Sequence, residues 1–290
     1  MTDASPAAPA ITSPGRAILH RFFTSPLGVT GATILGVLIF CAILAPFIAP
    51  HDPTEIFWDH IQQPPSATFL FGTDELGRDI LSRVIWGARV SLWVVICSIG
   101  IALLIGSLIG LISGYVGGVV DDVIMRINDA ILAFPMLILA LGIIAVFGPT
   151  LTNAILAIAV VNIPGFARVV RGQVLSVREH EFVEAARSIG LGPAAILLRH
   201  ILPYVSGNVI VYASLRASAA LITESALAFL GLGVKPPTPT WGSMLATAMQ
   251  YWDAWWMSIF PGLAIFIAVL GLNFTGDALL DAKQATESDN

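Results

Sequence analysis

The sequence predicts an all-α membrane protein with six transmembrane helices, and three observations carry that expectation. The 290-residue chain is 56% hydrophobic and 11% charged, with a mean hydropathy of +0.85, too apolar for a water-soluble globule. Its apolar residues fall into six runs, each near the roughly 20 residues that cross a hydrocarbon core as a helix. Lys and Arg collect in alternate connections between those runs, as they do where connections face the cytoplasm. The formal net charge of −5 is spread over the loops and offers nothing to a nucleic acid. Cys41 and Cys97 lie inside apolar runs and read as small packing residues, not as a disulfide framework.

Residues 1–15 are rich in Ala, Pro, Ser and Thr without periodicity, the composition of a disordered cytoplasmic tail. In RAILHRFF, Ile18, Leu19, Phe22 and Phe23 share one helical face while Arg16, His20 and Arg21 lie elsewhere, which suits a short helix in the membrane interface; the alternative is a basic flank of the first span. Tail and interfacial helix together occupy residues 1–26, and the first span occupies 27–49. That run is too long for a signal-peptide core, so it is expected to be retained, with the N-terminus inside. Residues 50–89 form an extracytoplasmic loop that starts Pro-rich, acidic and aromatic and continues as FGTDELGRDILSRVIWGARVSL. Thr73 or Asp74 is placed to cap a short helix there, with Asp79, Arg83 and Trp86 at helical spacing.

The transmembrane core spans residues 90–283. Its first member, 90–113, leads into Gly106, Gly110 and Gly114, a four-residue spacing of small residues that permits close helix contact within the chain or with another subunit. GYVGGVVDDVIMRIND then reads as a short cytoplasmic turn, and Pro135 as a kink in the third span, 128–147. Gly148-Pro149-Thr150 turns the chain outside before the fourth span, 151–169, which carries Pro164 near its inner end. The fifth span, 205–230, contains Arg216 and Glu224. A charge deep in a helix costs about 2.5 to 3.5 kcal/mol on insertion scales, so such residues face protein or water. Eight positions apart, the two do not pair with each other; they either line a water-filled path between helices or bond structurally to a partner subunit. The Pro-rich stretch after Phe229 cannot continue the helix and returns at the outer surface, where Trp252, Trp255 and Trp256 read as an aromatic belt before the sixth span, 257–276. Residues 284–290 are left as a C-terminal tail.

The organising stretch is the polar interruption at 178–203, REHEFVEAARSIGLGPAAILLRHILP. Glu179, Glu181 and Glu184 precede Arg187, which matches the dipole of a short helix. Gly190 and Gly192 followed by Pro193 turn the chain into a second helical run, through Ile196, Leu197 and Ile201, which opens the next apolar segment at Leu202-Pro203.

In Glu184-Ala185-Ala186, three residues, Gly190, and then Leu202-Pro203, this stretch resembles the EAA loop of permease subunits of ABC importers. Two positions depart from the pattern: His200 stands where Ile is usual, and Tyr204 where the dipeptide and oligopeptide branch has Asn after the Pro. That branch is also resembled by Gly72-Thr73-Asp74, Gly77-Arg78-Asp79, Ser82-Arg83, Gly87-Ala88-Arg89, Phe229 to Gly233, Pro236-Pro237, Trp241-Gly242, and Asn273, Gly276, Asp277 and Asp281, so the likeness covers residues 70–283. It implies a cytoplasmic coupling loop in which Glu184, Ala185, Ala186, Arg187, Gly190, Leu202 and Pro203 meet an ATPase. It implies a second permease subunit of the B type, two ATP-binding subunits that hold ATP and Mg, and an extracytoplasmic substrate-binding protein. A peptide is the implied cargo, with nickel, haem or another small solute as the alternative. The expected location is a prokaryotic cell membrane, with lipid around the spans and both termini cytoplasmic.

Orientation follows independently from the bases. With the N-terminus inside, Arg16, Arg21, Arg126, Arg168, Arg171, Arg178, Arg187, Arg199 and Lys283 are cytoplasmic, against Arg78, Arg83, Arg89 and Lys235 outside. No ATP site is expected in the chain, since its only lysines, Lys235 and Lys283, follow Val234 and Ala282 instead of a phosphate-loop glycine. No catalytic or metal site is expected either: HEFVE lacks the second His of a zinc-protease helix, and no Gly-x-Ser-x-Gly occurs. An ion-coupled carrier that uses Arg216 and Glu224 is the third class, which ATP dependence of uptake would separate from the first.

Overall fold

The computed structural model describes residues 14–288; most of the expected N-terminal tail and the last two residues lie outside that range. Among the described residues the secondary structure is helical, in the order α1 (Pro14–Thr24), α2 (Pro26–Ile43), α3 (Ala45–Ile48), α4 (Ile80–Val116), α5 (Gly118–Leu132), α6 (Met136–Phe147), α7 (Leu151–Val177), α8 (Glu181–Ser188), α9 (Pro193–Ile196), α10 (Leu202–Phe229), α11 (Trp241–Ala248) and α12 (Trp256–Ser288). Five helices are long and apolar enough to cross a membrane, and α5 with α6 make a sixth if that bent pair is one span.

The third expected span is where the structure departs furthest from the sequence reading. Residues 128–147 are not one kinked helix: α5 and α6 meet at an angle of 88°. Pro135 stands at the N-cap of α6 with ψ 127°, an extended conformation that no helix can pass through. The expected cytoplasmic turn at 114–129 is likewise mostly helix. Gly117 and Gly118, at φ +69° and +57°, interrupt the backbone for one step, and α5 starts at once.

α4 is 37 residues long and begins ten positions before the expected span. Its Gly106, Gly110 and Gly114 face α7 of the same chain. A Cβ at Gly106 would sit 2.5 Å from the Cβ of Phe166, at Gly110 2.5 Å from the carbonyl of Ala167, and at Gly114 2.8 Å from the Cβ of Val174. The stripe is therefore an internal contact, and the two backbones approach because no side chain stands between them. Around this pair Val94, Ile99, Ile158, Val170, Leu221 and Leu227 close the main core. α12 packs beside it against α2, where Gly31 meets Thr275 and Gly271. Phe22 of α1 is buried against Ala278 and Ala282 of α12, with Ile18 beside it, whereas Leu19 and Phe23 of the same apolar face stay exposed.

The connection from 50 to 79 folds as a cap on the bundle, with Asp74 as its hub. Asp74 Oδ1 accepts from the backbone N–H of Leu76 (3.0 Å) and Arg78 (2.9 Å), and Oδ2 from Arg78 Nε (2.7 Å). Arg83 reaches the same carboxylate at 3.3 Å and donates through Nη1 to the carbonyl of Pro53 (2.9 Å). The helix cap is neither Thr73 nor Asp74 but Asp79, which accepts from Ser82 N (3.1 Å) and starts the long α4. Asp74 is committed to a tight turn that Gly77, at φ +79°, completes, so no helix forms between Asp74 and Asp79. Trp256 and Trp241 pin the cap and α11 by donating to the carbonyls of Thr73 (3.0 Å) and Val84 (2.9 Å). Trp256 is 7% exposed, so it does not belong to a belt with Trp252 and Trp255, which are 79% and 54% exposed.

Candidate functional site

α8 is short because both of its ends are specified. Glu181 and Glu184 fill its first turn and Arg187 its last. Gly190 takes φ +81°, its N–H bonds to the carbonyl of Arg187 (2.9 Å) and that of Leu191 to the carbonyl of Ala186 (3.2 Å), a reciprocal pair that satisfies carbonyls of the last turn. Gly192, expected to share the turn, has an ordinary φ of −68° and serves as N-cap of α9.

One face of α8 is anchored and the other is presented. Val183 and Ala186 are buried in the main core, while Glu181, Glu184, Ala185 and Arg187 are exposed. Of the EAA triplet, then, Glu184 and Ala185 point outward and Ala186 is packing. After α9 the helix widens into a π turn at Leu197–Ile201 and runs on as α10. Pro203 supplies the cause: it has no N–H to donate, and its ring would meet the carbonyl one turn back, so Leu202 bonds instead to Leu197, five residues away. Leu202 and Pro203 thus sit inside a continuous helix that joins the 178–203 stretch to the fifth span.

Three further bonds tie this end of the molecule together, none of them foreseen from sequence. Arg187 of α8 lies over the ring of Tyr115, near the end of α4, at 5.5 Å. Arg178 donates to the carbonyl of Gly114 (3.0 Å). Arg171 forks onto Asp121 of α5, Nε to Oδ1 and Nη2 to Oδ2, both at 2.6 Å, and Ser113 donates to the same carboxylate. The three arginines reach partners fifty or more positions away in the chain, where no local period signals them.

The embedded charges are separated, as their spacing implies. Arg216 of α10 turns toward α7, where it donates to Asn162 Oδ1 through Nε (3.2 Å) and Nη2 (2.8 Å). Glu224 is 3% exposed and lies beside Ser225 (3.3 Å) and the wholly buried Ser91 of α4. Among the described residues no three His, Cys, Asp or Glu side chains gather as a metal-binding group. Lys235 is exposed in the loop after α10, and Lys283 lies within α12.

Comparison with known proteins places this architecture. A family model described as binding-protein-dependent transport system inner membrane component matches residues 106–284, and one described as the N-terminal TM domain of oligopeptide transport permease C matches residues 13–65. The chain is 42% identical over 277 residues to the di/tripeptide transport system permease protein DppC of Pseudomonas aeruginosa (strain UCBPP-PA14), covering 93% of this chain and 91% of that one. It is 43% identical over 274 residues to the glutathione transport system permease protein GsiD of Escherichia coli O6:K15:H31, covering 94% and 90%. The dipeptide transport system permease protein DppC of Alkalihalophilus pseudofirmus is 43% identical over 271 residues, covering 93% and 89%. With two family models and near full-length relatives in agreement, the chain belongs to the membrane-spanning permease subunits of ABC importers, in the branch of the C-type peptide permeases.

Proposed function

We propose that this chain forms half of the pore of an ATP-driven importer that takes short peptides from a binding protein and releases them inside. The observation that carries this reading is α8, a closed helix that buries Val183 and Ala186 and holds Glu184, Ala185 and Arg187 outward. That is the form of a helix built to be gripped by another protein. The partners are a second permease subunit, two ATPases that hold ATP and Mg, and a substrate-binding protein on the far side of the membrane. The chain itself performs no catalysis; ATP is hydrolysed by the partners.

In this reading α5 and α6 together complete six spans, both termini are cytoplasmic, and α1 lies in the inner interface with Leu19 and Phe23 toward lipid. The basic residues of the 178–203 stretch and of α7 then stand on the cytoplasmic side. Closure of the ATPases pushes α8, and the push has two routes into the bundle. One runs through Arg187 and Arg178 into the end of α4, the other through α9 and the π turn into α10. Because the glycine stripe locks α4 onto α7, those two helices move as one body, and the pore rocks between inward-open and outward-open packings.

The peptide cargo is supported by the relatives, whose names specify di- and tripeptides and glutathione. ATP-dependent uptake of a labelled dipeptide into vesicles that hold the complete transporter, beside nickel and haem, tests it. Accumulation of nickel or haem and not of the dipeptide would replace the cargo while keeping the machine.

A further inference from the structure

We infer that Arg216 is the station in the pore where the terminal carboxylate of a passing peptide is held. This rests on the peptide-import reading above and adds to it a site and a chemical partner. Arg216 is near the middle of α10 (Leu202–Phe229), about 20 Å of helix from either end at 1.5 Å per residue. At that depth a guanidinium is costly and requires a counter-charge or water. Among the described residues it pairs with no carboxylate, and Glu224 lies elsewhere, against Ser225 and Ser91.

What Arg216 does have is an orienting clamp. Asn162, 2% exposed, commits its Nδ2 to the carbonyl of Ile158 (2.7 Å), which leaves Oδ1 to accept from Nε and Nη2 of Arg216. Nη2 also touches the sulfur of Met136 at 3.5 Å. Among the described residues Nη1 has no partner, and it is not sealed in the core, since Arg216 is only part-buried. The guanidinium is thus fixed on one edge by a neutral amide and open on another. Met136 is the first residue of α6, so the positive end of that helix adds to the potential beside Arg216 and does not neutralise it. An oriented guanidinium that keeps its positive charge and a free edge is suited to a carboxylate, and every linear peptide with an unmodified end carries one.

The test uses the complete transporter in vesicles with its own binding protein, and compares a dipeptide with the same dipeptide amidated at its C-terminus. The affinity of the binding protein for each is measured separately, because a permease variant leaves it unchanged. In the wild type, uptake should favour the free acid at least tenfold beyond the preference of the binding protein. Arg216→Gln should bring the ratio down to that of the binding protein, and Arg216→Lys should restore part of it. A ratio equal in wild type and Arg216→Gln overturns the inference. So does loss of the second permease subunit from purified Arg216→Gln, which would place the missing carboxylate on that subunit. Absence of ATP-dependent uptake of either peptide by the wild type would overturn the peptide reading itself, a different outcome.

Discussion

The guanidinium of Arg187 lies 5.5 Å from the ring centre of Tyr115, and so links the exposed helix α8 to the end of α4 across seventy residues of chain. A cation over an aromatic face contributes about 0.5 to 1 kcal/mol at exposed sites. That is enough to bias a moving joint but too little to decide whether the chain folds. Tyr115→Ala should therefore leave the protein inserted and associated with its ATPases, yet lower the peptide imported per ATP hydrolysed, while Tyr115→Phe, which keeps the ring, should match the wild type. Equal stoichiometry in all three, measured in vesicles, would remove this contact from the coupling route.

The glycine stripe calls for a stronger effect. A Cβ at Gly110 would lie 2.5 Å from a backbone carbonyl that cannot move aside. Gly110→Leu should force α4 and α7 apart and cost at least the roughly 1 to 3 kcal/mol typical of overpacking, read as a fall in melting temperature in detergent. A Cβ at Gly100 would meet no other element of the described residues within 4 Å, so Gly100→Leu serves as the control and should melt as the wild type does.

The fork between Arg171 and Asp121 joins α5 to α7. Asp121→Asn and Arg171→Gln should each lower the melting temperature, and the double variant should melt close to the worse single one, because both remove the same bond. Additive losses would mean that the two side chains act separately.

Glu75 provides a pH test on the cap. Burial, and next the neighbouring Asp74, push its carboxyl above the usual range, against the pull of Arg78. A raised folded pKa means that the protonated side chain is favoured in the fold, so its contribution is present below the unfolded value near 4.3 and is lost as pH rises through the folded one. Glu75→Gln, which cannot ionise, should gain stability relative to the wild type as pH rises from about 4 to 7. A difference that stays constant over that window would contradict the burial of this carboxyl.

The sidedness of the chain can be read directly. Single cysteines at Thr68, in the cap, and Ser188, at the end of α8, are both on exposed positions. In a background without Cys41 and Cys97, an impermeant thiol reagent applied to intact cells should label the first and spare the second until the membrane is opened. Equal labelling of both in intact cells would contradict the assigned orientation.

How much of this was legible in the sequence varies with the range of the interaction. The apolar runs, the acid-to-base order of α8 and the turn at Gly190 are local, and each could be read from a few consecutive residues. The glycine stripe announced a close contact, but its partner, residues 163–174 of α7, could be found only by folding the chain. Pro135 was visible, yet whether a proline kinks a helix or ends it depends on the space around it, and here the chain turns by 88°. Asp74 and Asp79 are equally good cap residues by type, and only the fold shows that the first carboxylate is taken up by the N–H groups of Leu76 and Arg78 and by the side chains of Arg78 and Arg83. Asn162 gave no signal at all, since one polar residue in an apolar run becomes informative only when Arg216 is seen to reach it.

The central claim is that the stretch around α8 carries the force of ATP hydrolysis into the membrane. Gly190 stands at φ +81°, a conformation that a β-branched residue resists, so Gly190→Val should change the angle at which α8 is presented without disturbing the spans. Substrate-stimulated ATP hydrolysis and peptide uptake, measured together on the same reconstituted vesicles, test this most directly. Gly190→Val should insert normally and either lose the ATPases or hydrolyse ATP with little uptake. Wild-type hydrolysis and wild-type uptake in that variant would show that the stretch is a solvated loop and that the coupling runs elsewhere.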